Sequence, residues 1–259
     1  PGTRLRADFA STSWKTSPAN SGGRTVRCRP ESRAIATVSS SSGKVPWVAA
    51  PADCPLCPRL VAYREANRRS IPDGFNGAVP SFGDQDARLC VVGLAPGRMG
   101  ANRTGRPFTG DGAGWMLYET LLKTGFARGG YEARPDDGLT LVDCMITNAV
   151  RCAPPGNKPL PAELEACRPY LEQELALLTR LKVVVVLGKI AFDAYVKLRR
   201  QQGYDLGRPT FSHGAEYRFD NLPTLLCSYH PSRQNTNTGV LTRPMWEGIF
   251  ARARQLVDA

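Results

Sequence analysis

Residues 89–114 read LCVVGLAPGRMGANRTGRPFTGDGAG, and this stretch decides the architecture. Leu89 to Gly93 is a short apolar run that stops on glycine, and a helical pattern begins at Gly114 and continues to Thr124. A strand that empties into a glycine-rich loop and then a helix is the repeating unit of α/β sheets, which bind ligands outside the carboxyl ends of their strands. The same unit recurs. Leu139 to Asn148 runs into Arg151-Cys152, Val183 to Leu187 is followed by Gly188-Lys189, and Thr224 to Tyr229 ends at His230-Pro231. Helical patterns fill the gaps at 57–69, 161–181, 190–200 and 242–256, with a short strand or hairpin at 210–219. The clearest helix starts at Pro161 and repeats Leu164, Cys167, Leu171, Leu175 and Leu178 at spacings of three and four. The rhythm predicts an α/β sandwich around a mostly parallel four-stranded sheet, with the strand ends converging on one crevice.

The chain has 259 residues, 42% of them hydrophobic, enough to bury a core of ordinary size without disulfides or metal. Its longest apolar runs are far too short to cross a bilayer, so no membrane partner is expected. The formal net charge of +11 favours polyanionic partners, but its distribution matters more than its size. Residues 1–44 carry eight basic and two acidic side chains, which is over half of the excess. Residues 1–45 therefore read as a disordered, basic Ser/Arg-rich tail ahead of a folded domain over 46–259.

Of eight cysteines, Cys28 lies in the tail, and Cys90, Cys144 and Cys227 sit inside apolar strands, where a thiol behaves as a small hydrophobe. Cys54-Pro-Leu-Cys57 has chelating spacing, and Cys152 with Cys167 would complete a four-thiolate site. Such a donor set takes zinc or an iron–sulfur cluster, with a structural role.

The loop from Gly93 to Gly114 holds seven glycines, which permit close backbone approach to a ligand. It is no dinucleotide fingerprint, because Trp115 stands where the last glycine of Gly110-x-Gly112 would be. Gly188-Lys189 is no Walker loop, because Val183 stands at the first glycine position. Asp111, just before a helix start, suits equally an N-cap and a base placed at the crevice. His213 lies in a polar turn with nothing around it and reads as structural. His230, at a strand end, is the better candidate, and the hydroxyl, amide and guanidinium groups of residues 232–238 suit phosphate and base contacts.

The block from Gly93 to Asp111, the segment Thr147-Asn148-Ala149-Val150-Arg151-Cys152 and the segment His230-Pro231-Ser232-Arg233-Gln234-Asn235 together closely resemble the family 5, or UDGb-type, uracil-DNA glycosylases. The resemblance spans roughly residues 50–257, and the four cysteines fit it. Family 4 relatives share the cysteines but usually carry Glu in the first motif, where this chain has Leu94 and Ala95. The resemblance implies the three-layer α/β/α uracil-DNA glycosylase fold with a [4Fe-4S] cluster on Cys54, Cys57, Cys152 and Cys167. It further implies a DNA-repair enzyme acting as a monomer on double-stranded DNA, inside the cell in the cytoplasm or nucleoid.

By the same resemblance Asp111 holds or activates the water that attacks C1′, Asn148 reads the base edge, and Phe108 stacks on the extruded base. His230 hydrogen-bonds the carbonyl on which charge develops. Gly93, Ala95 and Gly97 line the base pocket, Ser232 holds a phosphate, and Arg233, Gln234 and Asn235 enter the duplex, with Gln234 as the wedge. Leu94 and Ala95 do no acid–base work, and the apolar motif implies hypoxanthine or other deaminated bases as further substrates. Arg98-Met99 and Asn237 depart from the family pattern, which commonly has Ala-His and Phe there. No lysine stands in these motifs except Lys158, so a monofunctional enzyme that leaves an abasic site is expected. The alternatives are an iron–sulfur relative that binds or covalently links uracil-DNA without turnover, an iron–sulfur redox protein, and a zinc-ribbon nucleic-acid-binding module.

Overall fold

The computed structural model describes residues 49–259, so the tail expected over 1–45 lies outside the described residues. In chain order the elements are α1 (Pro58–Ser70), β1 (Phe82–Gly83), β2 (Leu89–Gly93), α2 (Ala101–Thr104), α3 (Gly112–Lys123), β3 (Ala127–Arg128) and β4 (Thr140–Leu141). There follow β5 (Cys144–Asn148), α4 (Pro161–Leu177), β6 (Val183–Leu187), α5 (Lys189–Gln201), β7 (Glu216–Tyr217), β8 (Thr224–Ser228), α6 (Arg233–Asn237) and α7 (Arg243–Asp258). Among the described residues the main sheet has six strands in the order β1-β5-β2-β6-β8-β7, and β3 pairs with β4 apart from it.

The four strands read from sequence are the four central ones, and they run parallel in register, with Gly93 opposite Asn148 and Val186 opposite Cys227. Two-residue antiparallel strands, β1 and β7, widen the sheet from four strands to six; two residues are too few for an alternating pattern to show in sequence. The run at 139–148 is split, with β4 in the small sheet and β5 in the large one. Asp143 breaks it: its backbone is left-handed at φ 56°, and its carboxylate accepts the Arg88 backbone N–H at 2.8 Å and Nε at 2.7 Å. The helix at 161 stops at Leu177, four residues short of expectation, and two short helices, α2 and α6, are additional to the pattern.

The central strands alternate cleanly. Leu89, Val91, Ile146, Val185 and Leu226 face α3 and α7, while Cys90, Val92, Met145, Val186 and Leu225 face α4 and α5. Strands covered on both faces are nearly continuous apolar runs, as in VVVVL and in CMITN up to Ile146, whose last two residues, Thr147 and Asn148, are polar. Each fully buried aliphatic side chain contributes about 1.5–3 kcal/mol. Cys90, Cys144 and Cys227 are part of these layers, and burial pushes the Cys227 thiol up to about 12. Trp246 locks α7 to α3, donating its indole N–H to Met116 O and Thr120 Oγ1 at 3.1 and 3.0 Å. Among the described residues no helix is long and apolar enough to cross a membrane.

One buried polar cluster interrupts the apolar layers. The Glu174 carboxylate on α4 accepts from Ser81, Thr147 and the Arg151 guanidinium, so the end of β5 is tied to a helix that also carries Cys167. Removing one partner of a buried ion pair leaves an uncompensated charge. Glu174→Ala is expected to lower folding stability by about 3–5 kcal/mol, read as a shift of the denaturant midpoint at unchanged slope.

Candidate active site

The parallel strands deliver their carboxyl ends to one cavity of about 590 Å³. Its lining includes Ala95, Gly97, Phe108, Asp111, Asn148, His230, Ser232, Arg233, Gln234 and Asn235, with Leu94, Ile190 and Asn157 beside them. Residues that lie far apart in sequence thus meet at one wall. Gly93 lies beneath that wall: a Cβ there would overlap Asn148 Oδ1 and come within 2.8 Å of the Phe108 ring. Only a bare backbone lets both side chains lie against the strand end.

Asp111 is the N-cap of α3 and also lines the cavity. Its Oδ1 accepts the Gly114 N–H at 3.1 Å and caps α3, which fixes the carboxylate in place. Oδ2 turns toward Gly97 and Gly100, where a Cβ would press on it. Gly100 is thus part of the carboxylate's seat, and no motif singled it out.

Phe108 is buried in a left-handed conformation at φ 52°, costly for an aromatic residue and held by its surroundings. Its ring stacks on His230 with centroids 5.8 Å apart at 28°. Behind the loop, Tyr118 donates to Pro107 O at 2.6 Å and Tyr131 to Phe108 O at 3.2 Å. Arg106 is sandwiched among Phe82, Tyr118 and Tyr131 and makes a two-pronged pair with Asp137 at 2.8 and 2.7 Å. That guanidinium, helped by the N–H groups of Glu132 and Leu139, holds the Asp137 carboxyl well below the usual carboxylate range.

His230 is half-buried at the pocket wall; burial lowers its pKa, and the charge of Asp111 opposes that shift. Burial thus favours the neutral ring, which can donate one N–H. Below it, Ser232 caps α6 by accepting the Asn235 N–H at 3.3 Å, and Asn235 donates its amide to His230 O at 2.8 Å. Asn235 thus braces the loop, while Arg233 and Gln234 stand exposed on it. Arg233 Nε lies 3.7 Å from the Cβ position of Gly112, and Arg103 Nη2 lies 3.5 Å from that of Gly110. Two cations therefore flank Asp111. Among the described residues neither has a carboxylate partner; Arg103 is a candidate that the motifs missed. His213 is structural as read, yet not isolated. It accepts the Tyr229 N–H at 3.2 Å and stacks beside that ring, steadying the strand end before His230.

Cys54, Cys57, Cys152 and Cys167 come together below this edge in a small apolar cluster with Leu60, Ala78 and Val150, and all four line one pocket. Arg59 on α1 grips Glu163 on α4 through Nε and Nη2, both at 2.7 Å, which brings Cys57 toward Cys167. Cys167 Sγ accepts the Arg151 N–H at 3.2 Å, and Arg64 lies 3.9 Å from Cys152 Sγ. Burial raises the Cys152 thiol to about 11 and Cys167 to about 12. Among the described residues no group of three or more His, Cys, Asp or Glu is arranged to hold a metal ion. Four free thiols share this pocket, with an N–H beside Cys167 and a guanidinium beside Cys152, a donor set that would fit a thiolate-bound metal group.

The profile of the Uracil DNA glycosylase superfamily matches residues 80–253. A type-5 uracil-DNA glycosylase of Thermus thermophilus is 47% identical over 208 residues, covering 78% of this chain and 93% of the relative. One from Mycobacterium tuberculosis is 40% identical over 210 residues, 78% of each chain. A type-4 enzyme of Pyrobaculum aerophilum is more distant, 32% identical over 202 residues, covering 77% of this chain and 85% of the relative. With its first motif apolar at Leu94 and Ala95 and its matches to type-5 enzymes the stronger, the chain belongs to the type-5 uracil-DNA glycosylases of the uracil-DNA glycosylase superfamily.

Proposed function

We propose that the protein flips uracil out of double-stranded DNA and hydrolyses its N-glycosidic bond, acting as a monomer and leaving an abasic site for base excision repair. The observation that carries this reading is the meeting of Asp111, Asn148, Phe108 and His230 on one cavity. A base between the Phe108 ring and the wall offers its edge to Asn148, whose amide supplies one donor and one acceptor. As the bond from C1′ to the base nitrogen breaks, its electron pair leaves with the base and charge spreads onto a carbonyl oxygen. The neutral His230 N–H donates to that oxygen. The Asp111 carboxylate lies beside the cationic sugar and takes a proton from the water that adds to C1′; the departing base anion is protonated from solvent. Ser232, whose hydroxyl hydrogen remains free while its oxygen caps α6, serves one phosphate, and Arg233 and Arg103 suit the backbone on either side. Gln234, exposed at the tip, is the wedge.

The cavity lining contains no lysine, which supports hydrolysis without a Schiff base. Leu94 and Ala95 present no hydrogen-bonding side chain to the cavity and so impose no choice of base edge there, which supports acceptance of hypoxanthine and other deaminated bases. Cys54, Cys57, Cys152 and Cys167 are proposed to hold a [4Fe-4S] cluster. Bound through these thiolates it would cross-link the segment leading into α1, the segment after β5 and α4, and the catalytic work would stay with the side chains above. The intracellular site of action expected from sequence follows from the same reading.

Excision assays, metal content and pH dependence test this. On a labelled G·U duplex followed by alkali, the wild-type protein should cut and Asp111→Ala should lose at least about 100-fold. The same assay should release hypoxanthine, and borohydride should trap no adduct; a trapped adduct would refute the monofunctional reading. Purified protein should contain about four iron and four acid-labile sulfide per chain, lost with the fold's stability in Cys54→Ser; zinc instead would overturn the cluster assignment. Because burial depresses the His230 pKa, the neutral form persists below pH 6.5 and the unfolded chain binds the proton first. Both kcat/KM and this residue's stability contribution should therefore hold above pH 6.5 and fall as pH drops through the lowered folded value. In His230→Gln that acid limb should be missing from the profile.

A further inference from the structure

We propose that Tyr131, which lies outside every motif, is a positioning residue: its hydroxyl sets where the Phe108 ring and the Asp111 carboxylate stand relative to each other. The inference rests on the glycosylase reading and deepens it. Phe108 and Asp111 are separated by only Thr109 and Gly110, with the left-handed backbone of Phe108 at φ 52° and of Gly110 at φ 94° between them. Such a turn has no regular hydrogen-bonding ladder and must be fixed from outside.

Tyr131 does this from behind. Its hydroxyl donates to Phe108 O at 3.2 Å. At the same place α3 begins, and a Cβ on Gly114 would overlap both that carbonyl and the Tyr131 hydroxyl. Gly114 is also the residue whose N–H caps onto Asp111 Oδ1 at 3.1 Å. One buried phenol thus touches the turn that presents the stacking ring and the helix end that presents the carboxylate. Burial pushes its pKa up to about 12, so it remains a donor throughout the working range.

The phenol itself has little freedom. Its ring stacks on Tyr118 at 4.6 Å and 27°, meets Trp115 edge-on at 4.9 Å, and lies 5.6 Å from the Arg106 guanidinium. Tyr131→Phe keeps all of this ring packing and removes only the hydroxyl with its hydrogen bonding to the Phe108–Gly110 turn. A displacement of the reacting groups by a fraction of an ångström is read in turnover, not in binding.

The test is a double-mutant cycle under single-turnover conditions on a G·U duplex, with wild type, Tyr131→Phe, Phe108→Leu, Phe108→Tyr and the two combinations. Tyr131→Phe should slow excision by about tenfold to a hundredfold. Its affinity for a duplex carrying a non-hydrolysable uridine analogue and its melting temperature should stay near wild type. The same loss should persist in Phe108→Tyr, which keeps the ring, and shrink or vanish in Phe108→Leu, which has none to position. Wild-type rates in Tyr131→Phe, equal losses in both backgrounds, or a loss confined to affinity or melting temperature would overturn the inference. A wild-type protein that releases no uracil would sink the glycosylase reading instead.

Discussion

A guanidinium removed from water must be given a carboxylate and several acceptors, or it stays outside. Arg106 has Asp137 on one side, Thr109 Oγ1 at 2.8 Å on another, and three aromatic rings around its plane. The substrate side of the sheet is built on that pair. The Asp137 carboxylate reaches two backbone N–H groups of the segment between β3 and β4, so the pair pins the irregular chain from which Tyr131 projects. The rings that satisfy Arg106 belong to β1, α3 and the same segment, and two of them hold the carbonyls of Pro107 and Phe108. A short strained turn at the cavity wall is held by a box assembled around one charge.

The opposite side of the cavity relies on a second buried charge. Arg151 pairs with Glu174, and Glu174 also holds Thr147, the neighbour of Asn148. The backbone N–H of Arg151 points to Cys167. The Asn148 amide and the four thiols are therefore separated by a few bonds and one ion pair. Both arrangements use apolar layers for stability and buried ions for placement, since an ion pair tolerates fewer alternative geometries than a hydrophobic contact.

Much of this was legible in sequence, for identifiable reasons. The four central strands are apolar on both faces and end on glycine or on polar motif residues, so their limits at Leu89–Gly93 and Val183–Leu187 could be read directly. Asp111 before a helix start and His230 after a strand end stood out by position, whereas the roles expected of Asn148 and Phe108 came from the family resemblance. What escaped notice lacks a local signal. Edge strands of two residues have no period, and the left-handed Asp143 looks like any aspartate in an apolar run. Tyr131, Arg106 and Asp137 join the site only through long-range packing. Asn235 shows the opposite case: among residues expected to enter DNA, its amide is already engaged by His230 O.

Gly93, Gly100 and Gly114 shape this site by leaving room, respectively for Asn148 with Phe108, for the Asp111 carboxylate, and for the Phe108 carbonyl with the Tyr131 phenol. Alanine is ordinarily the mildest replacement, the baseline from which a scan measures what a side chain contributes. At these three positions one methyl group is an intruder, and the usual scale inverts. A mutational survey that treats glycine-to-alanine changes as silent controls would place its controls inside the active centre, and would read the protein's functional surface as smaller than it is.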